Sequence, residues 1–215
     1  MPRVFKIISL LFIAFSFSSC IELVEEIKIN PDLSGEYHLY LENKGLDFLF
    51  DGFSQNINQR EIEYILGKLK HQKGISNLTA DTRINKGKFS ISFNFSNAKS
   101  LTNALYASFG VKKQFYHKAF LKVNHRKIKR PNLSPYLIKY AENQGLMKQL
   151  PSEKMLDYID YRYKIISSKP IKSALPPANI QSLNQLEYSQ LYSSKSLLLN
   201  KQSTKSVLWL KRKTK

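Results

Sequence analysis

Residues 35–41 read GEYHLYL and residues 87–93 read GKFSISF, and the two stretches share one pattern. In each, a glycine is followed by strict alternation of large apolar and polar residues, which is the period of a half-buried β-strand. An upstream segment, at 22–29 or 78–84, leads into each glycine through turn-forming residues. The pattern therefore predicts two antiparallel β-hairpins.

A helical pattern follows each predicted hairpin. Asn58 and Glu61 have the spacing of an N-cap and its capping-box partner, and Gly74 stops the helix that follows. Asn97 is placed to cap a second, shorter helix that ends before Gly110. The apolar residues on one face are Ile62, Ile65, Leu66 and Leu69 in the first helix and Leu101, Ala104 and Leu105 in the second. We predict an α+β fold, an antiparallel sheet of successive β-hairpin-helix units with helices packed on one face.

A third unit is predicted after the second helix. Residues 115–123 alternate as a strand, a turn follows at 124–125, and a helix starts at 134–135 and stops at Gly145. The segment 111–123 also tolerates a helical interpretation, in which one side carries Tyr116, Phe120 and Val123. The strand is our prediction.

The C-terminal part is less regular. Residues 160–165 alternate as a strand, whose one face carries Tyr161, Tyr163 and Ile165. Three prolines follow, at 170, 176 and 177, which suits an edge strand or a connection better than a central strand. Residues 207–210 are a candidate last strand before a basic tail. We divide the chain into an α+β domain at 20–167 and a basic C-terminal extension at 168–215 that completes or flanks the sheet.

Residues 1–19 have the layout of an export signal. Arg3 and Lys6 give a positive start, an apolar run follows from 7 to 17, and two small residues, Ser18 and Ser19, come next. A run of this length is too short to cross a bilayer as a helix, which needs roughly 20 apolar residues. We therefore predict a cleaved signal peptide and no permanent transmembrane anchor.

Cys20 is the single cysteine of the chain and directly follows this segment. The stretch resembles the lipobox of bacterial lipoproteins, except that Phe17 stands where that family most often has leucine. The resemblance implies cleavage before Cys20, a diacylglycerol on its sulfur and a further acyl chain, such as palmitate, on its amine. An ordinary secretory signal with an incidental cysteine, or a short intracellular helix, are the alternatives.

The residues that follow resemble a group of uncharacterised lipoproteins, the LppM-like family. The matching positions are Cys20, Asp32, Ser34, Gly35 and Tyr37, and the resemblance extends over residues 20–170. It implies an α+β fold and an ability to bind lipid or glycolipid. It implies no catalytic residues.

Charge is distributed unevenly along the chain. Residues 20–109 contain 10 Lys/Arg against 11 Asp/Glu, whereas residues 110–215 contain 22 against 5. Such asymmetry indicates an anionic neighbour: phospholipid headgroups, lipopolysaccharide phosphates or cell-wall polymer. Nucleic acid is not expected, because an exported protein seldom meets it. The alternative is that the lysine excess only reflects a generally lysine-rich protein composition in the source organism.

The candidate binding segment for that neighbour spans 112–130 and contains no acidic residue. Its cations are Lys112, Lys113, Lys118, Lys122, Arg126, Lys127, Lys129 and Arg130. On a strand, Tyr116, Lys118, Phe120 and Lys122 would share one face, a mixture that suits a membrane interface. An ordinary solvated strand with half-buried aromatic residues is the alternative.

Catalytic and metal-binding motifs are not found in the sequence. It has no His-Glu-x-x-His, Gly-x-Ser-x-Gly or Walker-type motif, and its four histidines are scattered. Glu25 and Glu26 would lie on opposite faces of a strand, and Asp157 and Asp160 would diverge as well. We expect these carboxylates to be solvated or paired with lysines, and we expect no cofactor, no metal and no enzyme activity. An enzyme built from residues distant in sequence stays open.

Together these patterns predict a lipid-anchored protein of the bacterial cell envelope. Residues 21 and 22 lack the aspartate that retains some lipoproteins at the inner membrane, so we expect the outer membrane, facing the periplasm. The expected role is non-catalytic binding of an anionic lipid or glycolipid. A structural or assembly role through envelope protein partners is the alternative.

Overall fold

The computed structural model describes residues 21–43, 59–83, 88–108, 110, 117–135, 138, 157–178, 185–199 and 202–211. The strands are β1 (Ile21–Ile29), β2 (Gly35–Asn43), β3 (Ile75–Asp81), β4 (Ser90–Phe95), β5 (Lys122–Asn124), β6 (Lys127–Arg130), β7 (Ile159–Ser167), β8 (Ile171–Leu175), β9 (Glu187–Ser193) and β10 (Ser206–Leu210). The helices are α1 (Gln59–Lys70), α2 (Ala98–Ser108) and α3 (Ser194–Leu198). This is a mixed fold of helices and strands in which the strands dominate.

The larger sheet has six strands in the order β3-β4-β2-β1-β7-β9. β1 pairs antiparallel with β2, with Ile27 opposite Tyr37, and β3 pairs antiparallel with β4. Both predicted hairpins are therefore confirmed. β2 also pairs with β4, which joins the two hairpins side by side.

The turn between β1 and β2 explains the Asp-x-Ser-Gly stretch. The Asp32 carboxylate accepts hydrogen bonds from the Ser34 backbone N–H at 3.1 Å and from its hydroxyl at 2.7 Å, which is an Asx turn. A side chain on Gly35 would collide with the backbone carbonyl of Lys28 and with the ring of Phe95. Glycine is needed here because the space is filled.

The prediction of a wholly antiparallel sheet is wrong at one position. β7 was predicted as a strand, but it pairs with β1 in parallel, with Ile27 opposite Ile165. Parallel neighbours need a long crossover connection, and the chain between β1 and β7 supplies one. Alternation alone has the same period in both kinds of pair, so it cannot distinguish them.

A second sheet of four strands, in the order β5-β6-β10-β8, corrects the prediction of a single sheet. β10 lies inside it, between β6 and β8, and β8 is an edge strand, as its flanking prolines indicated. The predicted strand at 115–123 is also too long, because β5 covers only Lys122–Asn124. Residues 111–116 and most of the helix predicted after Ser134 lie outside the described residues.

The turn between β5 and β6 falls one residue later than predicted. It is centred on His125 and Arg126, and the Asn124 side chain accepts a hydrogen bond from the Arg126 N–H at 2.9 Å. The short side-chain acceptor two residues before that N–H makes an Asx turn. Asn124 is therefore the last residue of β5.

The hydrophobic core lies on one face of the larger sheet, where α1, α2 and the second sheet all contribute to it. Leu69 of α1 and Leu101 and Leu105 of α2 join a cluster with Tyr37, Ile91, Phe93 and Phe95 of the sheet and with Ile128 and Leu208 of the second sheet. α2 starts as predicted, since the Asn97 side chain accepts a hydrogen bond from the Ser100 N–H at 2.9 Å. The predicted cap of α1, Asn58, lies outside the described residues.

Residues on both sides of position 167 build both sheets. β9 completes the edge of the larger sheet beside β7, while β8 and β10 form half of the second sheet. α3, which falls in a weakly patterned part of the sequence, follows β9 directly.

Candidate functional site

Arg130, which the sequence placed on the anionic-binding surface, is buried, with 3 % of its surface exposed. Its guanidinium lies 2.7 Å from the Glu25 carboxylate and donates a hydrogen bond to the Tyr161 hydroxyl at 2.8 Å. The Tyr161 hydroxyl in turn donates to Glu25. The assignment of Arg130 to the surface is therefore wrong. The reason is strand alternation, because Ile128 and Arg130 face the core while Lys127 and Lys129 point to the opposite face of β6.

Tyrosine rings surround this buried ion pair. The Arg130 guanidinium lies 3.8 Å from the centre of the Tyr163 ring, and Tyr161 stacks on Tyr192 at 6.0 Å. Burial has the largest single influence on the pKa of Arg130 and lowers it, but Glu25, Tyr161 and Tyr163 together outweigh burial, so the pKa of Arg130 is raised. Burial, reinforced by Glu25, raises the pKa of Tyr37 and of Tyr161 well above the usual range. The cluster therefore links the two sheets with one ion pair and protonated phenols.

The cations in the strands of the larger sheet, among the described residues, also have acidic partners. Lys28 lies 2.9 Å from Glu36, and Lys164 lies 3.1 Å from Glu26. Arg162 forms an ion pair with the fully buried Glu22. Glu25 and Glu26 lie on opposite faces of β1, as predicted. Glu26 has the expected lysine partner, whereas the partner of Glu25 is a buried arginine.

Four cations on the outside of the second sheet form a surface that we call the cationic sheet face. They are Lys122, Arg126, Lys127 and Lys129. Lys122 lies directly opposite Lys129 across the β5–β6 pair, and Arg126 is in the turn between those strands. Among the described residues, none of the ion pairs includes any of these four side chains. Four of the eight predicted binding residues are thus brought together.

The other predicted residues are not part of this surface. Lys112 and Lys113 lie outside the described residues, as does Tyr116. Lys118 is exposed but belongs to no strand, and Phe120 packs against the core. Their backbone bonds to α2, since the Lys118 carbonyl accepts from the Tyr106 hydroxyl at 2.9 Å and the Phe120 N–H donates to Thr102 at 3.2 Å. The predicted shared face of Lys118, Phe120 and Lys122 is therefore wrong.

Trp209 and Leu175 were not predicted, although they adjoin the cationic sheet face. Trp209 lies opposite Lys127, whose ammonium is 5.1 Å from the centre of the indole ring. Leu175, on the edge strand β8, has 59 % of its surface exposed. The alternation of residues 207–210 could have indicated Trp209, because it lies out of phase with Leu208.

A shallow groove of about 300 Å³ lies between the start of α2 and β5. Lysines line it from both elements, Lys99 from α2 and Lys122 from β5, and the other lining residues are Ala98, Thr102, Ala119, Leu121 and Val123. Lys122 therefore belongs both to the groove and to the cationic sheet face.

Metal and membrane-spanning features were also sought in the described part of the chain. That part contains no group of three or more His, Cys, Asp or Glu side chains placed to hold a metal ion. It also contains no helix with the length and apolar character needed to cross a bilayer.

Comparison with known proteins gives little similarity. No protein-family model matches the chain, and no curated protein matches it. Among solved structures, the chain is similar to the folded domain of Mycobacterium tuberculosis LppM determined by NMR, with a TM-score of 0.39 and 12% identity over 90% of this chain and 91% of that one. A likeness at this level establishes neither a common fold nor a role for this chain.

Proposed function

We propose that the protein is a lipoprotein of the bacterial envelope, attached through acyl chains on Cys20 to the outer membrane and facing the periplasm. In this proposal it binds an anionic envelope component, a lipid or glycolipid, through the cationic sheet face and catalyses no reaction. The observation that carries the proposal is the direct opposition of Lys122 and Lys129.

Like charges placed directly opposite each other on neighbouring strands destabilise a sheet. Lys122 and Lys129 are both exposed, and neither takes part in an ion pair within the described residues. Lys127 and Arg126 add two further charges within the same hairpin. A negatively charged partner would offset this repulsion. The cations in the strands of the larger sheet are paired with acidic residues, and this contrast favours an anionic partner over the alternative that the lysines only reflect a lysine-rich composition of the source organism.

The position of the anchor fits a surface-binding role. β1 begins at Ile21, the residue after Cys20, and the Ile21 N–H donates to the Tyr158 carbonyl at 3.1 Å. A lipid on Cys20 would therefore be separated from the folded domain by almost no chain. The domain would stay close to the membrane, where each nearby lysine contributes about 1 kcal/mol of binding to anionic lipid.

Sedimentation with lipid vesicles tests this proposal. The unlipidated chain, residues 21–215, is mixed with vesicles of neutral phosphatidylcholine or with vesicles that also contain anionic phosphatidylglycerol, at low and high salt. We expect binding to the anionic vesicles that weakens with salt, because exposed charges are screened.

Two double variants locate the surface. Lys122→Gln with Lys129→Gln removes about 2 kcal/mol, so binding should weaken about 30-fold. Lys70→Gln with Lys73→Gln removes the same charge from exposed lysines at the end of α1 and should have little effect. Equal binding to both vesicle types would contradict the proposal, and no binding to either would favour a protein partner instead.

A further inference from the structure

The apolar side chains beside the cationic sheet face suggest how this surface would meet its partner. β10 alternates, with Leu208 fully buried and Leu210 nearly so, and Trp209 between them is half-buried on the opposite face. Trp209 lies next to Lys127 in the sheet, and Val207 lies between Lys129 and Leu175. Because Val207 is itself buried, Trp209 and Leu175 are the accessible apolar groups of this face.

We infer that Trp209 and Leu175 insert into the interfacial region of a phospholipid bilayer while Lys127 and Lys129 contact its phosphates. This inference rests on the proposed function and names its ligand as the bilayer surface. Tryptophan suits that region because its ring is apolar while its indole N–H needs a hydrogen-bond acceptor. Within the described part of the chain, no hydrogen bond is formed by the Trp209 side chain.

The combination of groups favours a bilayer over a soluble polyanion. A soluble polyanion would satisfy the lysines but would leave Trp209 and the exposed Leu175 in water. At a membrane interface, lysine ammonium groups remain at the level of the phosphates while apolar groups beside them enter the layer below. The charge of the face matches an anionic headgroup layer, and the adjoining apolar groups match what lies beneath it.

Trp209 is the single tryptophan of the chain, so its fluorescence reports on this position alone. The mature protein, purified with its lipid and reconstituted into vesicles, is compared in anionic and neutral bilayers. Lipids brominated near the headgroup serve as quenchers. We expect a shift of the emission to shorter wavelength and stronger bromine quenching in the anionic bilayer, both reversed by high salt.

Variants connect this signal to the surface. Lys127→Gln with Lys129→Gln should lower the quenching, whereas Lys70→Gln with Lys73→Gln should leave it unchanged. Leu175→Ser, at a position with 59 % of its surface exposed, should weaken vesicle sedimentation of the unlipidated chain about fivefold.

The outcomes separate this inference from the proposed function. Salt-sensitive sedimentation with anionic vesicles, together with unchanged Trp209 emission and quenching, overturns the insertion of Trp209 but leaves anionic binding in place. Absence of both sedimentation and quenching overturns both. An equal emission shift on adding soluble polyphosphate without vesicles also overturns the inference, in favour of a soluble polyanion.

Discussion

The guanidinium of Arg130 and the carboxylate of Glu25 lie between two sheets, where removal from water costs each of them free energy. Their mutual attraction and the hydrogen bonds with Tyr161 offset that cost. The loss of one partner would leave the other as an uncompensated buried charge. The pair therefore stabilises the contact between the sheets only when it is complete.

Replacing Arg130 and Glu25 together should lower the free energy of unfolding by less than the sum of the two single replacements. We expect Arg130→Met or Glu25→Gln alone to lower the free energy of unfolding by about 3 to 5 kcal/mol. The double variant should lose less than the sum of the two, since neither charge then remains unpaired. Urea denaturation of the four proteins measures the coupling, and additive losses would contradict it.

The roles of these residues were only partly predictable. A strand of sequence Lys-Ile-Lys-Arg at 127–130 must place Arg130 on the face of Ile128, so recognition of β6 would have indicated its burial. The partner could not be predicted, because Glu25 and Arg130 are separated by 105 positions and only the packing of the two sheets brings them together. The position of Trp209 on the outer face could not be predicted either, because the sequence does not show which face of the second sheet lies outside.

At the scale of single elements, the turn between β1 and β2 depends on close packing. Gly35 begins β2 opposite Ile29, and the space where its side chain would lie is occupied by the backbone carbonyl of Lys28 and the Phe95 ring. A backbone atom in a paired strand cannot move away as a flexible side chain can. The position therefore excludes any residue larger than glycine.

We expect Gly35→Ala to lower the free energy of unfolding by about 3 kcal/mol, the upper end of the cost of overpacking. The matched control is Gly67→Ala in α1, where no atom lies within 4 Å of the added methyl group. There alanine should raise the stability by about 1 kcal/mol because it favours the helix. Thermal or urea unfolding of both variants checks the prediction, and a Gly35→Ala protein as stable as the parent would refute it.

Individual elements were predicted better than their pairing. The hairpins, α2 with its Asn97 cap and the strand at β7 all follow from local patterns of alternation and capping. The parallel pairing of β7 and the second sheet do not, because they join segments separated by many residues. β5 was overextended because residues 118–120 alternate like a strand while their backbone bonds to α2 instead.

At the scale of the whole molecule, the interior is rich in phenols that stay protonated. Burial raises the pKa of Tyr37, Tyr161, Tyr163 and Tyr188 above the ordinary value near 10. In the unfolded chain these groups would lose their protons near pH 10, while the folded protein retains them. Their contribution to stability is therefore complete below about pH 10 and is lost as the pH rises further.

We expect a steep fall of stability above about pH 10, approaching 5 kcal/mol per pH unit for four such phenols. Urea midpoints at several alkaline pH values measure the slope, and phenolate absorbance should rise together with unfolding. Tyr163→Phe should make the slope shallower, because it removes one buried phenol whose hydroxyl has no hydrogen-bond partner in the described residues. Tyr64→Phe, at a side chain 54 % exposed, is the control and should leave the slope unchanged. A midpoint that is flat between about pH 9 and pH 12 would contradict this account.

The attachment of the whole molecule should depend on two signals, the lipid on Cys20 and the cationic sheet face. Acyl chains contribute about 0.8 kcal/mol for each buried methylene and do not respond to salt, whereas exposed lysines are screened within about 10 Å at 0.1 M salt. A Cys20→Ser protein exported behind an ordinary cleavable signal should leave the detergent phase. It should nevertheless sediment partly with membranes at low salt and be released at high salt.

Lys122→Gln with Lys129→Gln in that background should release it even at low salt, while the same pair in the lipidated protein should leave it attached. If the Cys20→Ser protein stays in the detergent phase, Cys20 does not carry the anchor, whereas full release at low salt would mean that the lysines contribute nothing to attachment.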